Sequence, residues 1–473
     1  MKKLFKLFAA AAAVAMLCVS FAGCNFRGQP GSNPNEELTY EIDFNIPAST
    51  TAEISVLIPN NDYEKGIMDA MTEGFRLQYP NITFDIKTFS LTSGSYNNTV
   101  TMQYNAGVLP DIVWCNSENF YFLMSGGYAL NLDRFVEQAE AAGEFDYEQD
   151  FTDKFHGMGV FGESRYAIPR SADTVVCFYN KEILADAGVD TSIIKNGWTW
   201  NDFLTVCQQV RDYYDGQGDT SYFPVDSNLG WEPVAYSVIR SFGGQVLNEQ
   251  GEFALTQDTA GEVVDFVQNL VDRKFIPESG EQDSSFESGT GAMLFQSTSL
   301  DNYANRAIFQ DDSGNPIFDI VSFPLINGQS SSIGMGYAGY ALNSHLDDEG
   351  ADPMELNLAA AFLSYMMSQD GQQRAAEGGL TLPSIRTDLS YSNPDANWHK
   401  EYSSKFNLEA YTWGSDYKTA GLDFLGYTDP VFSSSLISAM DSFVGTYAVR
   451  DPENAFTRFR EEVQYAFDSV VTA

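Results

Sequence analysis

ISVLIPNNDYEKGIMDAMTEGFRLQYPNITFDIKTFSLTSGSYNNTVTMQYNAGVLPDIVWCNSEN, residues Ile54 to Asn119, reads strand, helix, strand, helix, strand. Ile54–Ile58 is a short apolar run broken by Pro59-Asn60-Asn61, as a buried strand ending in a turn would be. A helix follows. Asp62 is positioned to cap it, Ile67, Met71 and Phe75 fall at i, i+4 and i+8, and Tyr79-Pro80-Asn81 ends it. Ile82, Phe84 and Ile86 alternate with Thr83 and Asp85, the pattern of a half-buried strand. A polar helix leads through Gly107 and Pro110 into Ile112-Val113-Trp114. Strands alternating with helices predict an α/β fold with an open, largely parallel sheet. Ligands of such sheets sit beyond the carboxyl ends of the strands. That places Asp62 and Tyr63 after the first strand, and Asn116, Glu118 and Asn119 after the third, among the candidate binding residues.

Outward from this stretch, 473 residues predict two or three lobes. The chain is 44% hydrophobic and 14% aromatic, enough for sizeable cores. A net charge of −39, with 26 basic against 65 acidic residues, argues against nucleic acid or an anionic surface as partner. The same charge reads as a solubilising coat. Lys2, Lys3 and Lys6 precede the apolar run Leu7–Val19, so residues 1–23 predict a secretion signal too short to be a stable membrane span. Asn25 to about Thr51 is rich in Gly, Pro, Ser, Asn and Glu and reads as a flexible tether.

No G-x-S-x-G, P-loop or dinucleotide fingerprint is present. His156, His345 and His399 are scattered and no C-x-x-C spacing occurs, so neither a metal nor a cofactor is expected. Cys115, Cys177 and Cys207 sit in or beside apolar runs and read as buried, inert thiols.

Several motifs together carry a resemblance. F-x-x-x-Y-P-N-I (Phe75 to Ile82), A-G-V-L-P-D-I (Ala106 to Ile112), Y-A-I-P followed by Y-N-K (Tyr166 to Lys181), W-T-W-x-x-F (Trp198 to Phe203), G-T-G-A-M (Gly289 to Met293), the Gly-rich Ser332–Gly339 and G-G-L-T-L-P (Gly378 to Pro383) occur in that order. This order resembles the extracellular solute-binding proteins of ABC importers, sugar-binding branch. The resemblance implies a two-lobed periplasmic-binding-protein-like fold, each lobe a mostly parallel sheet flanked by helices, joined by crossing hinge segments. The implied organisation is a signal at 1–23, anchor and tether at 24–52, lobe 1 at 53–169 plus 335–383, and lobe 2 at 170–334 plus 384–473. Phe21-Ala22-Gly23-Cys24 is similar to a bacterial lipobox, with Phe21 where Leu is usual. It implies lipidation of Cys24 and a soluble domain held at the extracytoplasmic face of the cell membrane.

The resemblance also names site residues. Asp173 matches a position where the family places a ligand carboxylate, and Trp231 falls in a loop that faces the cleft in relatives. Tyr337 lies in the Gly-rich return crossing. After Gly289–Phe295 relatives carry a sugar-stacking Trp, whereas this chain reads Gln296-Ser297-Thr298-Ser299-Leu300. Sugars present apolar C–H faces to aromatic rings and hydroxyls to carboxylates and amides. A sugar cleft therefore calls for Asp/Glu, Asn/Gln and Trp/Tyr on loops of two lobes. The candidate set is Asp62, Tyr63, Asn116, Glu118, Asn119, Asp173, Asn228, Trp231, Tyr337 and Trp413. Each has a plainer reading: Asp62 as a helix cap, Glu118 as a solvated acid of a first helical turn, Trp231 as core. Trp198 and Trp200 read as packing residues.

The expected function is capture of a mono- or oligosaccharide by hinge closure and delivery to an ABC permease, by a monomer that is not an enzyme. Two alternatives stand: a receptor for a peptide, polyol or other small polar solute, and a secreted glycoside hydrolase working with paired carboxylates.

Overall fold

The computed structural model describes residues 38–91, 95–117, 119–161, 164–226, 228–248, 252–277, 284–297, 300–325, 335–389, 402–413 and 430–471. The opening stretch folds as its periodicity requires. Strand β1 (Ala52–Pro59) leads into helix α1 (Asp62–Gln78), then β2 (Ile82–Phe89), helix α2 (Ser95–Asn105) and β3 (Ile112–Asn116). Ile67, Met71 and Phe75 are buried on one side of α1. The cap of α1 is Asn61, not Asp62: the Asn61 Oδ1 accepts from Glu64 N at 2.7 Å, and Asp62 is the exposed first residue of the helix. Asn61 takes the role because its backbone is extended while Asp62 is already helical.

Helices α3 (Phe120–Ser125) and α4 (Asp133–Ala142) and the hairpin β4–β5 (Val160–Phe161, Ser164–Arg165) lead to β6 (Ile168–Thr174). One residue, Val175, separates β6 from β7 (Val176–Asn180), and the two strands belong to different sheets. After β7 come α5 (Lys181–Asp186), α6 (Trp200–Gln217), β8 (Phe223–Val225), α7 (Glu232–Ser241), α8 (Gln257–Asp272), β9 (Gly291–Gln296) and β10 (Phe318–Ser322). Thr199 and Asp202 close the expected capping box on α6. Then β11 (Met335–Leu342) returns to the first sheet, α9 (Pro353–Met367) and α10 (Gln369–Glu377) follow, and α11 (Pro430–Asp441) runs through a π-helical turn (Ser442–Tyr447) towards α12 (Ala455–Val471).

The first sheet has the order β2-β1-β3-β11-β6 and the second β10-β7-β9-β8. In the first, β1, β2 and β3 are parallel, β11 runs against β3, and β6 runs against β11. In the second, β8 and β9 are parallel and β7 runs against both β9 and β10. Each sheet is thus unidirectional except for the strand that arrives from the other sheet. The fold is the two-lobed α/β arrangement of periplasmic binding proteins.

One segment differs from its sequence reading. From Leu38 onward the expected tether is packed on the first lobe. Tyr40 is 4% exposed, and its hydroxyl donates to Asn131 O (2.6 Å) and accepts from Phe135 N (3.1 Å). Ile42 N donates to Gln138 Oε1 and Asp43 N to Asn357 Oδ1, which straps the segment across α4 and α9. Buried apolar side chains and paired amides make this stretch part of the core.

Candidate functional site

Strand direction fixes where the site lies. Both crossings leave a sheet at a strand's carboxyl end, after Thr174 and after β10, and enter the other at a strand's amino end, Val176 or Met335. The carboxyl ends of β1, β2, β3 and β6 therefore share one edge with the start of β11. In the second sheet the carboxyl ends of β8, β9 and β10 share an edge with the start of β7. Two such edges, joined directly through Val175, are where an open α/β fold binds small molecules.

At the first edge, Asn116 and Asn119 clasp each other. Asn119 Oδ1 accepts from Asn116 N at 2.9 Å, and Asn116 Oδ1 accepts from Asn119 N at 3.1 Å. The clasp fixes the turn after β3, and Ser117 N donates to Tyr337 O at 3.1 Å to pin it to β11. A Cβ at Gly336 would meet Ser117 Oγ at 2.8 Å, so glycine lets these backbones approach. Asp62 is exposed and Tyr63 half-buried at the mouth of β1, with the Tyr63 ring 5.7 Å from the Arg170 guanidinium. Asp173 pairs in register with Gly336, one residue before the end of β6. Glu118 lies outside the described residues. Tyr337 is brought to the edge only through its backbone. Its side chain is 2% exposed and packs edge-on to Phe120 (6.2 Å), and burial raises its hydroxyl far above the ordinary tyrosine range.

At the second edge, Asn228 is buried and its Nδ2 donates to Phe295 O, tying the turn after β8 to β9. Trp231 N donates to Asn228 O at 3.0 Å, and the half-buried Trp231 opens α7. Gly230 lies against the π-helical turn: a Cβ there would meet Asp441 Oδ1 at 2.1 Å and Gly445 Cα at 3.2 Å. Burial raises the Asp441 carboxyl. Trp413 is half-buried and covers Gly197, where a Cβ would meet its Cζ2 at 2.6 Å. Gly197 N in turn donates to Ser322 Oγ at 2.9 Å, so Trp413 stands at the carboxyl end of β10. The structure thus gathers Asp62, Tyr63, Asn116, Asn119 and Asp173 on one edge and Asn228, Trp231 and Trp413 on the other.

Trp198 and Trp200 are buried as packing residues, 1% and 6% exposed. Cys115, Cys177 and Cys207 are free and buried, and burial pushes all three thiols up. Among the described residues no three His, Cys, Asp or Glu are placed to hold a metal, and no helix is long and apolar enough to cross a membrane. Sequence reasoning missed Asp441, which reaches Gly230 from far along the chain. It also missed the buried Glu64–Arg170 pair below Tyr63, although an Arg inside a strand run at Ile168–Thr174 was a visible signal.

Comparison with known proteins agrees with this geometry. Residues 60–373 match the family described as bacterial extracellular solute-binding protein. An arabinooligosaccharide-binding protein of Halalkalibacterium halodurans is 28% identical over 212 residues, covering 42% of this chain and 43% of that protein. The alignment with this curated relative thus spans less than half of the relative's length. The ABC substrate-binding protein Lmo0181 of Listeria monocytogenes, solved with cycloalternan, superposes with a TM-score of 0.67 at 17% identity, covering 89% of this chain and 99% of that one. The cyclic alpha-maltosyl-1,6-maltose binding protein of Arthrobacter globiformis gives 0.65 at 15% identity, over 88% of this chain and 99% of that one. Fold and edge geometry define a two-lobed solute receptor. The chain belongs to the bacterial extracellular solute-binding protein family, whose members are binding proteins that act outside the cytoplasm.

Proposed function

We propose that this protein captures an oligosaccharide between its two sheet edges, closes around it and hands it to an ABC permease without making or breaking a bond. The observation that carries the reading is the pairing of unlike edges. Asp62 and Tyr63 follow β1, Asn116 and Asn119 stand at the end of β3, the backbone of Asp173 lies near the end of β6, and Trp231 and Trp413 stand at the edge of the second sheet. A sugar held between them meets hydroxyl-bonding groups on one side and ring faces on the other. The ligands of the relatives, an arabinooligosaccharide, cycloalternan and cyclic alpha-maltosyl-1,6-maltose, support the substrate class. A ligand touching both edges favours the closed state by its differential affinity for it.

The lobes in this reading are 53–174 with 335–383, and 175–334 with 384–473: β6 stays in the first sheet as far as Thr174, so the first crossing falls five residues beyond the expected 169/170 boundary. Cys24 carries the lipid anchor, and the protein works as a monomer. Calorimetry against arabino-, malto- and cyclic oligosaccharides tests the function. A one-to-one binding heat with unchanged sugar is expected, and hydrolysis products would make the protein an enzyme instead. Trp231→Ala should weaken binding by about 2 kcal/mol, roughly thirtyfold, as a truncated stacking anchor does. Unchanged affinity in Trp231→Ala would take the aromatic side out of the site. Membrane fractionation of Cys24→Ser checks the anchor, with release into the soluble fraction expected.

A further inference from the structure

The first lobe holds a buried ion pair between α1 and β6. Arg170 donates through Nη2 to Glu64 Oε1 at 2.7 Å and through Nη1 to Glu64 Oε2, a two-pronged contact whose side chains are 2% and 6% exposed. Replacing such a pair by apolar side chains is often neutral or stabilising, because desolvation offsets the attraction. Its placement is what distinguishes it. In β6, Ser171 pairs with Ala338 and Pro169 with Gly339, so Arg170 is the unopposed residue of a β-bulge. A bulge re-aims one side chain out of the ladder. This one depends on Gly339, where a Cβ would meet Ile168 O at 2.1 Å.

Glu64 stands in the first turn of α1. Its amide is held by Asn61 Oδ1, and its carboxylate by Arg170. Directly before it lie Asp62 and Tyr63, and the Tyr63 ring is 5.7 Å from the Arg170 guanidinium. Three residues after Arg170 is Asp173, and after Thr174 the chain leaves for the second sheet. Ser171 also forms a bridge with Ser384, so a further stretch of chain is tied in at the same point. The pair therefore joins the loop at the end of β1 to the root of the outgoing crossing.

We propose that Glu64 and Arg170 are positioning residues: they set the Asn60–Tyr63 loop against the crossing strand, so that the first-lobe half of the carbohydrate site is formed before ligand arrives. This rests on the oligosaccharide reading for its consequence, and on the structure alone for the clamp itself. Preorganisation of this kind raises affinity by removing an ordering cost from binding.

The test compares wild type with the double variant Glu64→Leu/Arg170→Met. Apo unfolding temperature should stay within about 3 °C, since both charges leave together. Amide hydrogen exchange at residues 62–66 of the unliganded protein should rise by about tenfold or more, with the remainder of the first lobe unchanged. Affinity for arabinotriose and maltotriose, whichever the wild type binds, should fall by about tenfold or more. Unchanged exchange at 62–66 overturns the clamp, whatever the ligand. Raised exchange with full affinity leaves a clamp that does not serve binding, and overturns the positioning role. If the wild type binds neither sugar, the carbohydrate reading fails and the exchange result still decides the clamp. Should the double variant not fold, Arg170→Lys replaces it. Lysine keeps the charge but not the fork, so a smaller rise in exchange and a loss of about threefold in affinity are expected, and wild-type behaviour in both overturns the proposal.

Discussion

The two sheet edges are built differently. Around the crossing edge of the first lobe, buried guanidinium groups organise the backbone. Arg165 donates to Met158 O, Ala167 O, Phe155 O, His156 O and the Tyr147 hydroxyl. Arg170 holds Glu64, and Arg386 holds Asp388 and Met367 O. At the second edge the organiser is an aromatic cluster. The Trp200 ring lies 4.7 Å from Phe203, 4.5 Å from Phe266, 5.9 Å from Phe295 and 5.7 Å from Phe323. Directional bonds fix loops at defined angles, whereas ring packing fixes a surface of defined shape. The difference goes with the proposed division of the site, most of its polar candidates on the first lobe and the Trp candidates on the second.

The largest expected effect tests the aromatic half. Trp200→Ala should lower stability by about 3–5 kcal/mol, the usual consequence of emptying a large core site. Trp200→Phe should lose far less, because the buried Trp200 Nε1 has no hydrogen-bond partner among the described residues. Urea unfolding followed by circular dichroism reads both. Equal losses for Ala and Phe would mean that the indole nitrogen matters, and the edge would not be a purely packed one. Next comes the guanidinium half. Arg165→Lys keeps the charge but cannot serve five acceptors, so about 2–3 kcal/mol should be lost through orphaned buried carbonyls. Two urea transitions, one moved by Trp200→Ala and the other by Arg165→Lys, would show that the halves also unfold separately.

The same contrast explains what the sequence could tell. Trp198-Thr199-Trp200 and Phe203 announce their packing by spacing, because burial of rings follows the helical period. The β-α-β order of residues 54–119 is legible for the same reason. Arg165 and Arg170 are visible as charges in a strand-rich stretch but their roles are not, since backbone carbonyls of an irregular connection hold Arg165, Glu64 lies far along the chain from Arg170, and a bulge has no period. Asn61 displaced Asp62 as the helix cap because one residue of backbone geometry decides the matter, and both side chains suit it. The segment from Leu38 was misjudged by averaging. Leu38, Tyr40, Ile42, Phe44 and Ile46 alternate with Thr39, Glu41, Asp43 and Asn45, a half-buried pattern hidden inside a polar composition. Tyr337 stands in a motif next to the site, but strand alternation turns its ring into the core while Gly336 faces Ser117.

The smallest effect concerns a carboxylate inside the aromatic half. Asp319 on β10 accepts from Asn407 N and Ile320 N through Oδ1, both at 2.8 Å, and from the Tyr179 hydroxyl at 3.4 Å. Burial nevertheless dominates and holds its carboxyl above the ordinary value of 3.8, with the two amides opposing. A carboxyl raised by folding binds its proton more readily in the folded chain than in the unfolded one. Its contribution to stability is therefore complete below pH 3.8 and is lost as pH rises through the raised folded value. Asp319→Asn keeps an oxygen acceptor and cannot ionise. Measured from pH 3.5 to 7, its urea midpoint relative to wild type should climb across that window and then stay level. A difference that is flat with pH would mean that the hydrogen bonds balance the burial. The aromatic half would then hold a buried charge satisfied by its hydrogen bonds, as the first lobe does, and the contrast between the two edges would narrow to ring packing alone.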